Sequence, residues 1–377
     1  MVVKVMQINS GQKFGGVSSM IFNFYKNVDH EKIQFDFVAP KISSFSMYRR
    51  EIEEMGGSII ELQTSGNFIK RKLQFFKRLT HLIKRKKYDV VHINSGSIFL
   101  NIQVSWIAHF CGVKKIITHS HNAGNDHELL VLLTKLCKPL LEFGPTDYFA
   151  CSNLAAKFMF TKKRVHNKNY QVINNGVDVQ KFKFNIDDRQ KYREKLSIQG
   201  KVVLLHVGRF TSAKNHQKLI NIFKCFHTLV PNSVLLLAGE GELEESIHNQ
   251  VEQLKLQDSV LFLGLRKDIA ELMSTSDMFI LPSFYEGLPV VGVEAQTNGL
   301  PCVFSDSITR EVDLNDKENL FLSLEFSNQQ WAQKIKDIFL NTNLKKRDKA
   351  YKNVEKKGYS LVQVGKLLEK IYLNDVG

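Results

Sequence analysis

Asp277-Met-Phe-Ile-Leu-Pro-Ser-Phe-Tyr-Glu-Gly-Leu-Pro-Val-Val-Gly-Val-Glu-Ala-Gln-Thr-Asn-Gly-Leu-Pro-Cys-Val-Phe-Ser305 carries more structural information than any other run of the chain. Its first residues, to Ser283, are a short apolar stretch that reads as a buried strand, and Cys302-Val-Phe-Ser305 reads as the start of another. Between them Leu288 to Asn298 is helical in composition. Pro289 stands where a first-turn proline fits and Gly299 where a C-cap glycine fits. The run is therefore strand, glycine-containing loop, helix, strand. In open α/β sheets such a loop lies at the carboxyl end of the strands, where ligands bind.

Two carboxylates frame that loop: Glu286 ahead of the helix and Glu294 two turns into it. The N–H groups of Gly287, Leu288 and Val290 at the helix start favour an anion such as a phosphate, whereas Pro289 has none to offer. Carboxylates accept hydrogen bonds from hydroxyls. A ligand with hydroxyls on both sides of a diphosphate, such as a sugar nucleotide, suits this arrangement. A surface helix with two solvated glutamates is the plainer alternative.

Working outward, apolar strands and periodic helical segments alternate along the whole chain, which predicts parallel sheets covered on both faces. Strands are expected at Val3–Ile8, Phe35–Ala39, Ser58–Leu62, Asp89–Ile93, from Lys115, at Asp147–Cys151 and at Tyr170–Ile173. A charged helical connector, Lys183 to Gly200, follows. The second half restarts at Val202–Gly208, with further strands at Ser233–Ala238, Val260–Leu263 and Glu318–Ser323, and helices over roughly Asn328 to Leu373. After Val202–Gly208 comes Arg209-Phe-Thr-Ser-Ala-Lys-Asn215. Two cations five residues apart across such a turn can hold a diphosphate from two directions, the arginine bidentately and the lysine as a point charge.

Other polar signals are weaker. The first turn, Gly11-x-x-x-Gly15-Gly16, is not the G-x-G-x-x-G of a dinucleotide site, and no Walker motif occurs. Gly239-x-Gly241 lacks a third glycine, and Glu240 and Glu242 would repel a pyrophosphate. The pair His119-x-His121, with Asp126 and His127 behind it, raises the question of a metal, but no clear further ligand accompanies it. Either histidine could equally be a hydrogen-bonded structural residue.

The 377 residues suffice for two domains, and 43% hydrophobic content suits a substantial core. Cys111, Cys137, Cys151, Cys225 and Cys302 are odd in number and scattered, as expected for reduced thiols in a cytosol. No signal-peptide pattern opens the chain, and no apolar run reaches the ~18 residues that span a bilayer, so a soluble protein is expected. Yet 52 Lys and Arg against 38 Asp and Glu leave a net charge of +14. Nine cations and no acid fall between Ile69 and Lys87. There Ile69, Leu73, Phe76, Leu79 and Ile83 recur at helical spacing, which predicts a basic amphipathic helix docked by that stripe. Its charged face is either merely solvated or a contact for an anionic membrane surface. Nucleic acid is disfavoured, because no reader module accompanies the charge.

The run from Ser283 to Pro301 resembles the donor-site signature of the retaining glycosyltransferases of family 4. The likeness is strongest to the bacterial exopolysaccharide and capsule enzymes. Arg209 to Asn215 is similar to the family's G-R-x-x-x-x-K-[GN] motif, and Asn175-Gly-Val-Asp-Val-Gln-Lys-Phe182 to the run closing its first domain. The resemblance implies two Rossmann-like domains facing across a cleft (the GT-B fold): residues 1–182 for the acceptor and 183–357 for the nucleotide-sugar donor. A last helix, 358–377, returns to the first domain. It implies that Glu286 holds the transferring sugar, Glu294 the ribose, and Arg209 and Lys214 the diphosphate. Gly15, Gly16, Gly208, Gly287, Leu288 and Val290 line the donor site, with Leu265 and Arg266 near the base. A histidine at the end of the strand from Lys115 contacts the sugar or positions the acceptor; His119 matches best and His121 next.

The implied reaction moves a hexose from a nucleotide sugar, expected to be a UDP-sugar, to a lipid-linked saccharide with retention and without a metal or other cofactor. The leaving phosphate would act as base. The place implied is the cytoplasmic face of the membrane. A nucleotide-sugar epimerase, a nicotinamide-dependent dehydrogenase and a non-catalytic basic binding protein are the competing classes.

Overall fold

The structure, a computed structural model, describes residues 2–9, 16–39, 44–122, 124, 128–315, 318–342 and 344–374. The chain divides into two compact units, Met1–Gly176 with Leu361–Gly377, and Val177–Ser360.

The first unit holds seven strands: β1 (Val3–Ile8), β2 (Ile33–Ala39), β3 (Ser58–Glu61), β4 (Val90–Asn94), β5 (Lys115–Ser120), β6 (Asp147–Ala150) and β7 (Gln171–Val172). They pair in parallel in the order β3-β2-β1-β4-β5-β6-β7. The second unit holds β8 (Val202–Val207), β9 (Ser233–Ala238), β10 (Val260–Phe262), β11 (Met278–Leu281), β12 (Cys302–Ser305) and β13 (Leu320–Leu322), ordered β10-β9-β8-β11-β12-β13. Both orders reverse direction at one point, between β1 and β4 and between β8 and β11. Loops diverge there at the carboxyl ends of the strands, and doubly wound sheets bind ligands there. The central strands are buried along their length, as both-face coverage requires: β4, β9, β11 and β12 expose no residue.

The helix after β11 spans Val290–Thr297, two residues shorter at its start than composition suggests, and Pro289 is its N-cap rather than its first-turn residue. Its far end closes as predicted. Gly299 adopts φ +72°, its N–H donates to the Gln296 carbonyl, and the N–H of Leu300 donates to the Ala295 carbonyl. That pair of bonds is a Schellman closure, and only a residue at ease with positive φ completes it.

The connector is not a loose tether. Its helix, Ile186–Lys195, belongs to the second unit, where Arg189 and Arg193 both pair with Asp277 at 2.5 and 2.8 Å. In the basic tail, buried Arg347 donates to the carbonyls of Met273, Ser276 and Asn298. The last helix, Leu361–Leu373, groups with the first unit and buries Leu361, Val364, Leu368 and Tyr372 there. A Cβ on Gly365 would stand 2.4 Å from the Asn27 carbonyl oxygen, so the helix can seat this closely only with glycine at that position.

The basic helix, Phe68–Lys86, corrects an expectation. Leu79 and Ile83 are buried, but with Phe75 and Leu82, whereas Ile69, Leu73 and Phe76 are exposed at 69%, 66% and 39%. Phe68 lies in phase with the buried stripe yet is 66% exposed. The first two turns therefore have no core beneath them, and periodicity alone could not reveal that overhang.

Candidate active site

In the second unit the loops leaving β8 and β11 meet at the reversal point. The Phe284 N–H donates to the Ala213 carbonyl at 2.9 Å, and the Asn215 side-chain amide donates to the Pro282 carbonyl at 3.2 Å. This stitching brings Lys214 Nζ within 2.5 Å of Glu286 Oε1. Ser283 Oγ donates to the same oxygen at 2.8 Å. Glu286 Oε2 accepts no hydrogen bond among the described residues. Both partners are largely buried, so the pair is less screened than a surface bridge. Lys214 has two further N–H donors after serving Glu286.

Arg209 begins the same loop. Its one ion pair among the described residues is a 3.8 Å approach to Glu242, both side chains about half exposed, and such a pair restrains it little. Gly208 lies between: a Cβ there would stand 3.2 Å from His206 Nε2 and 3.3 Å from the Lys214 side chain. The Gly239-x-Gly241 turn is explained by packing. A Cβ on Gly239 would fall 2.1 Å from the Gly208 carbonyl oxygen, and one on Gly241 2.5 Å from that of Phe210. Both glycines let the turn after β9 press against the Arg209 loop.

Glu294 is half-buried on the helix after Glu286 and makes no side-chain hydrogen bond or ion pair among the described residues. Burial pushes its carboxyl up to about 7 against the opposing charge of Lys181. Gly287 and Leu288 are buried ahead of the helix, and Val290 is its first residue. On the strand after β9, Gly264 at φ +64° turns the chain into Leu265, 58% exposed, and Arg266. The Arg266 guanidinium pairs with Asp268, which also accepts from the Tyr192 hydroxyl at 2.9 Å.

Sequence reasoning passed over His206 and His216 beside this loop. Both are buried and stack edge-to-face, with His206 Nε2 and both His216 nitrogens lacking hydrogen-bond partners among the described residues. Burial holds them neutral, near 4 and 2, with the Lys214 charge adding to the effect. A polar residue interrupting an apolar strand just before Gly208 was the available signal.

The first unit carries a second polar cluster at its own reversal point. Register places Gln7 of β1 beside His92 of β4, and Asn94 beside His119 of β5. His119 is fully buried, with Nδ1 3.1 Å from His92 Nε2 and Nε2 without a partner among the described residues. The His121 ring lies against that of His119, tilted by 39° with ring centroids 4.0 Å apart. Its Nε2 meets Asn94 Oδ1 at 3.1 Å, and its Nδ1 has no partner among the described residues. Burial depresses all three imidazoles: His92 and His121 to about 3, and His119 well below its ordinary value, helped by its two histidine neighbours. They are neutral at physiological pH. His92, Gln7, Asn94 and Tyr372 were not singled out from sequence; Tyr372 reaches His92 from 280 residues away. Gly16 begins the helix Gly16–Lys26 in this unit, whereas Gly15, Asp126 and His127 lie outside the described residues.

Among the described residues, no helix is long and apolar enough to cross a membrane.

Comparison with known proteins places both halves. Residues 14–181 match the model of Glycosyltransferase Family 4, and residues 188–357 that of Glycosyl transferases group 1. EpsF of Bacillus subtilis (strain 168), a glycosyltransferase by name, is 33% identical over 88% of this chain and 86% of its own length. The UDP-Gal:alpha-D-GlcNAc-diphosphoundecaprenol alpha-1,3-galactosyltransferase of Escherichia coli is 29% identical over 60% of each chain. Among solved structures, HepE of Anabaena in complex with UDP-glucose superposes with a TM-score of 0.80, at 18% identity and over 98% of both chains. That likeness is one of fold.

Proposed function

The chain belongs to the family 4, group 1 glycosyltransferases, and from that premise we propose that it moves a hexose from a UDP-sugar to a lipid-linked saccharide with retention, in exopolysaccharide or capsule assembly. The observation that carries the donor half is the Lys214–Glu286 pair at the reversal point of the second sheet. A cation for phosphate and a carboxylate for hydroxyls, 2.5 Å apart, match the junction of a sugar and a diphosphate.

In this reading the second unit holds the donor. Arg209 and the two remaining Lys214 N–H donors take the diphosphate, and their cationic charge grows in value as the sugar–phosphate bond loosens and negative charge builds on the leaving oxygen. That requires no metal ion. Glu286 Oε2 accepts from a hexose hydroxyl, and Ser283 with Lys214 holds the carboxylate in place through Oε1. The unpartnered Glu294 carboxylate accepts from the ribose. The N-terminus of the Val290–Thr297 helix, with Gly287 and Leu288 ahead of it and Gly208 as a close-approach point, adds backbone polarity toward phosphate. Leu265 and Arg266 border the base. His119 and His121 of the first unit meet a sugar hydroxyl, and the leaving phosphate oxygen takes the acceptor proton.

The names of the relatives support the substrate classes, since the Escherichia coli enzyme uses UDP-Gal and a diphosphoundecaprenol-linked sugar. The exposed cations and apolar residues of the Phe68–Lys86 helix support contact with the anionic membrane surface where such carriers reside. The test is incubation of purified protein with a panel of UDP-, GDP- and dTDP-hexoses and a polyprenyl-diphosphate saccharide. Expected are release of UDP and a product whose anomeric configuration, read by proton NMR, matches the donor. Conversion of the nucleotide sugar without an acceptor, an inverted product, or no reaction with any donor overturns the proposal.

A further inference from the structure

The polar cluster of the first unit is a chain of hydrogen bonds whose direction can be worked out member by member. Asn94 Nδ2 donates to Gln7 Oε1 at 2.7 Å, and Gln7 Nε2 donates to the Tyr372 hydroxyl at 3.1 Å. The Tyr372 oxygen lies 2.6 Å from His92 Nδ1, and His92 Nε2 lies 3.1 Å from His119 Nδ1. At the other end His121 Nε2 lies 3.1 Å from Asn94 Oδ1. The interior members Gln7, Tyr372 and His92 each give one of these hydrogen bonds and take the other, because a Tyr372 hydroxyl accepting from both sides would leave its proton buried and unpaired; fixing Asn94 therefore fixes the rest.

Asn94 is the member that is fixed. Its Nδ2 also faces the His92 backbone carbonyl at 3.4 Å, and a carbonyl can only accept. Turning the amide over would set two oxygens against each other. With Asn94 Nδ2 as donor, Gln7 receives on its oxygen and gives from its nitrogen. Tyr372 then receives from Gln7 and has its single proton left for His92 Nδ1. His92 is thereby the Nε2–H tautomer, donates to His119 Nδ1, and leaves His119 with its proton on Nε2. At the opposite end Asn94 Oδ1 accepts from His121 Nε2–H, so His121 Nδ1 keeps a bare lone pair. Among the described residues the two unpartnered nitrogens of the cluster are these two, His119 Nε2 and His121 Nδ1, on rings in contact. One is a donor and the other an acceptor. Burial keeps both rings uncharged, so the polarity survives across physiological pH.

We propose that Tyr372, on the C-terminal helix, is a positioning residue that passes this direction from Asn94 to His92 and His119, so that the His119–His121 pair presents one N–H and one bare nitrogen to a single sugar hydroxyl. A hydroxyl both gives and accepts, so it satisfies the two ends together. A carbonyl, a carboxylate or an ammonium satisfies only one, and leaves the other buried and unpaired. The inference rests on the glycosyltransferase reading for the identity of the ligand, but the tautomers themselves do not depend on it. It gives the last helix a role in the chemistry of the first unit as well as in its packing.

The test is long-range proton–nitrogen NMR of protein labelled with nitrogen-15 histidine, assigned with single His→Gln variants, alongside kinetics of Tyr372→Phe. In the wild type His92, His119 and His121 should each be the neutral Nε2–H form. In Tyr372→Phe, His92 and His119 should lose that single form while His121 keeps it. Transfer should fall by roughly 10- to 100-fold, as for a reacting group held slightly out of place. Affinity for UDP alone should not change. A His119 protonated on Nδ1 in the wild type overturns the inference. So does a Tyr372→Phe variant with unchanged His119 tautomer, whatever its activity. An enzyme that transfers no sugar at all counts against the proposed function, and the nitrogen spectra still decide the direction of the chain.

Discussion

Lys214 and Glu286, 72 residues apart in sequence, meet at 2.5 Å between Nζ and Oε1. Each is the other's counter-charge, so neither can be replaced without changing the state of its partner. Lys214→Met removes the cation proposed to hold the phosphate and also leaves the largely buried Glu286 carboxylate with only Ser283 to satisfy it. Arg209→Ala removes a cation that is half exposed and loosely paired. Both should cut turnover on the order of 10²–10³-fold, as for loss of one transition-state donor. Only Lys214→Met should also lower the melting temperature. Turnover should persist in EDTA. Comparable melting temperatures for the two variants, or an enzyme silenced by the chelator, would count against this assignment of roles.

Glu294 links binding to stability in a way its neighbour does not. Its carboxyl is pushed up to about 7 by burial, above the ordinary carboxylate value. Between those two pH values the folded chain holds a proton that the unfolded chain has released, so stability falls as pH rises through the window. Glu294→Gln removes the ionisation. The variant should be more stable than wild type at pH 8, on the order of 1–3 kcal/mol, and equal to it near pH 4.5. On its proposed role at the ribose, the same variant should bind UDP more weakly, because part of the acceptor becomes a donor. Urea melts at the two pH values and calorimetric titration with UDP check both halves. A variant less stable than wild type at pH 8 refutes the account.

The histidines act in the opposite sense. His92, His119, His121, His206 and His216 are all held neutral by burial, with depressed values. The unfolded chain takes up protons on them below about pH 6.5. Their stabilising contribution is therefore complete above that pH and is lost as pH falls toward 3. At pH 5.5 each should cost about 1.4 kcal/mol, several kcal/mol in sum, a large part of an ordinary folding free energy. The urea midpoint should drop steeply between pH 7.5 and 5.5. An unchanged midpoint would mean that these rings are protonated in the native state.

How much of this was readable in the chain depends on the range over which the signal acts. Strands such as Val202–Val207, broken only by His206, and residues 234–238 within β9 are apolar runs, and burial on both faces of a parallel sheet is what such runs require, so they are found where composition puts them. The Gly299 cap is equally local. Arg209, Lys214, Glu286 and Glu294 could be picked out one by one from their motifs, but the 2.5 Å pairing of Lys214 with Glu286 depends on β8 and β11 being neighbours across the reversal point. Sequence spacing does not contain that fact. Tyr372 is the extreme case: one tyrosine in a helix pattern, it matters because Leu361–Leu373 returns to the first unit and sets its hydroxyl against His92. His206 and His216 were passed over because a lone histidine in an apolar segment carries no motif.

The basic helix shows the converse error, a pattern that was present and misread. Ile69, Leu73 and Phe76 have the spacing of a core-facing stripe, yet they lie in solvent among Lys70, Lys72 and Lys77, with the Lys72 ammonium 5.2 Å over the Phe68 ring. A stripe docked in the core would leave only the charged face for a membrane, a contact that weakens steeply with salt. The exposed residues change that expectation. Lys70, Lys77 and Lys84 should supply about 1 kcal/mol each near an anionic leaflet. Phe68, Ile69 and Leu73 should add apolar burial worth up to roughly 1.5–3 kcal/mol apiece where a side chain is fully covered. Pelleting with phosphatidylglycerol liposomes should therefore weaken in 0.5 M NaCl but not vanish. The combined change Lys70→Glu, Lys77→Glu, Lys84→Glu should remove the salt-sensitive part. Lys86 is spared because it pairs with Asp36 at 3.3 Å and its reversal would strike the fold. The pair Ile69→Ser, Leu73→Ser should remove the salt-resistant part, and neither set should alter hydrolysis of free UDP-sugar. Pelleting that survives both sets of changes would show that this helix is a solvated face and that the proposed carrier is reached elsewhere.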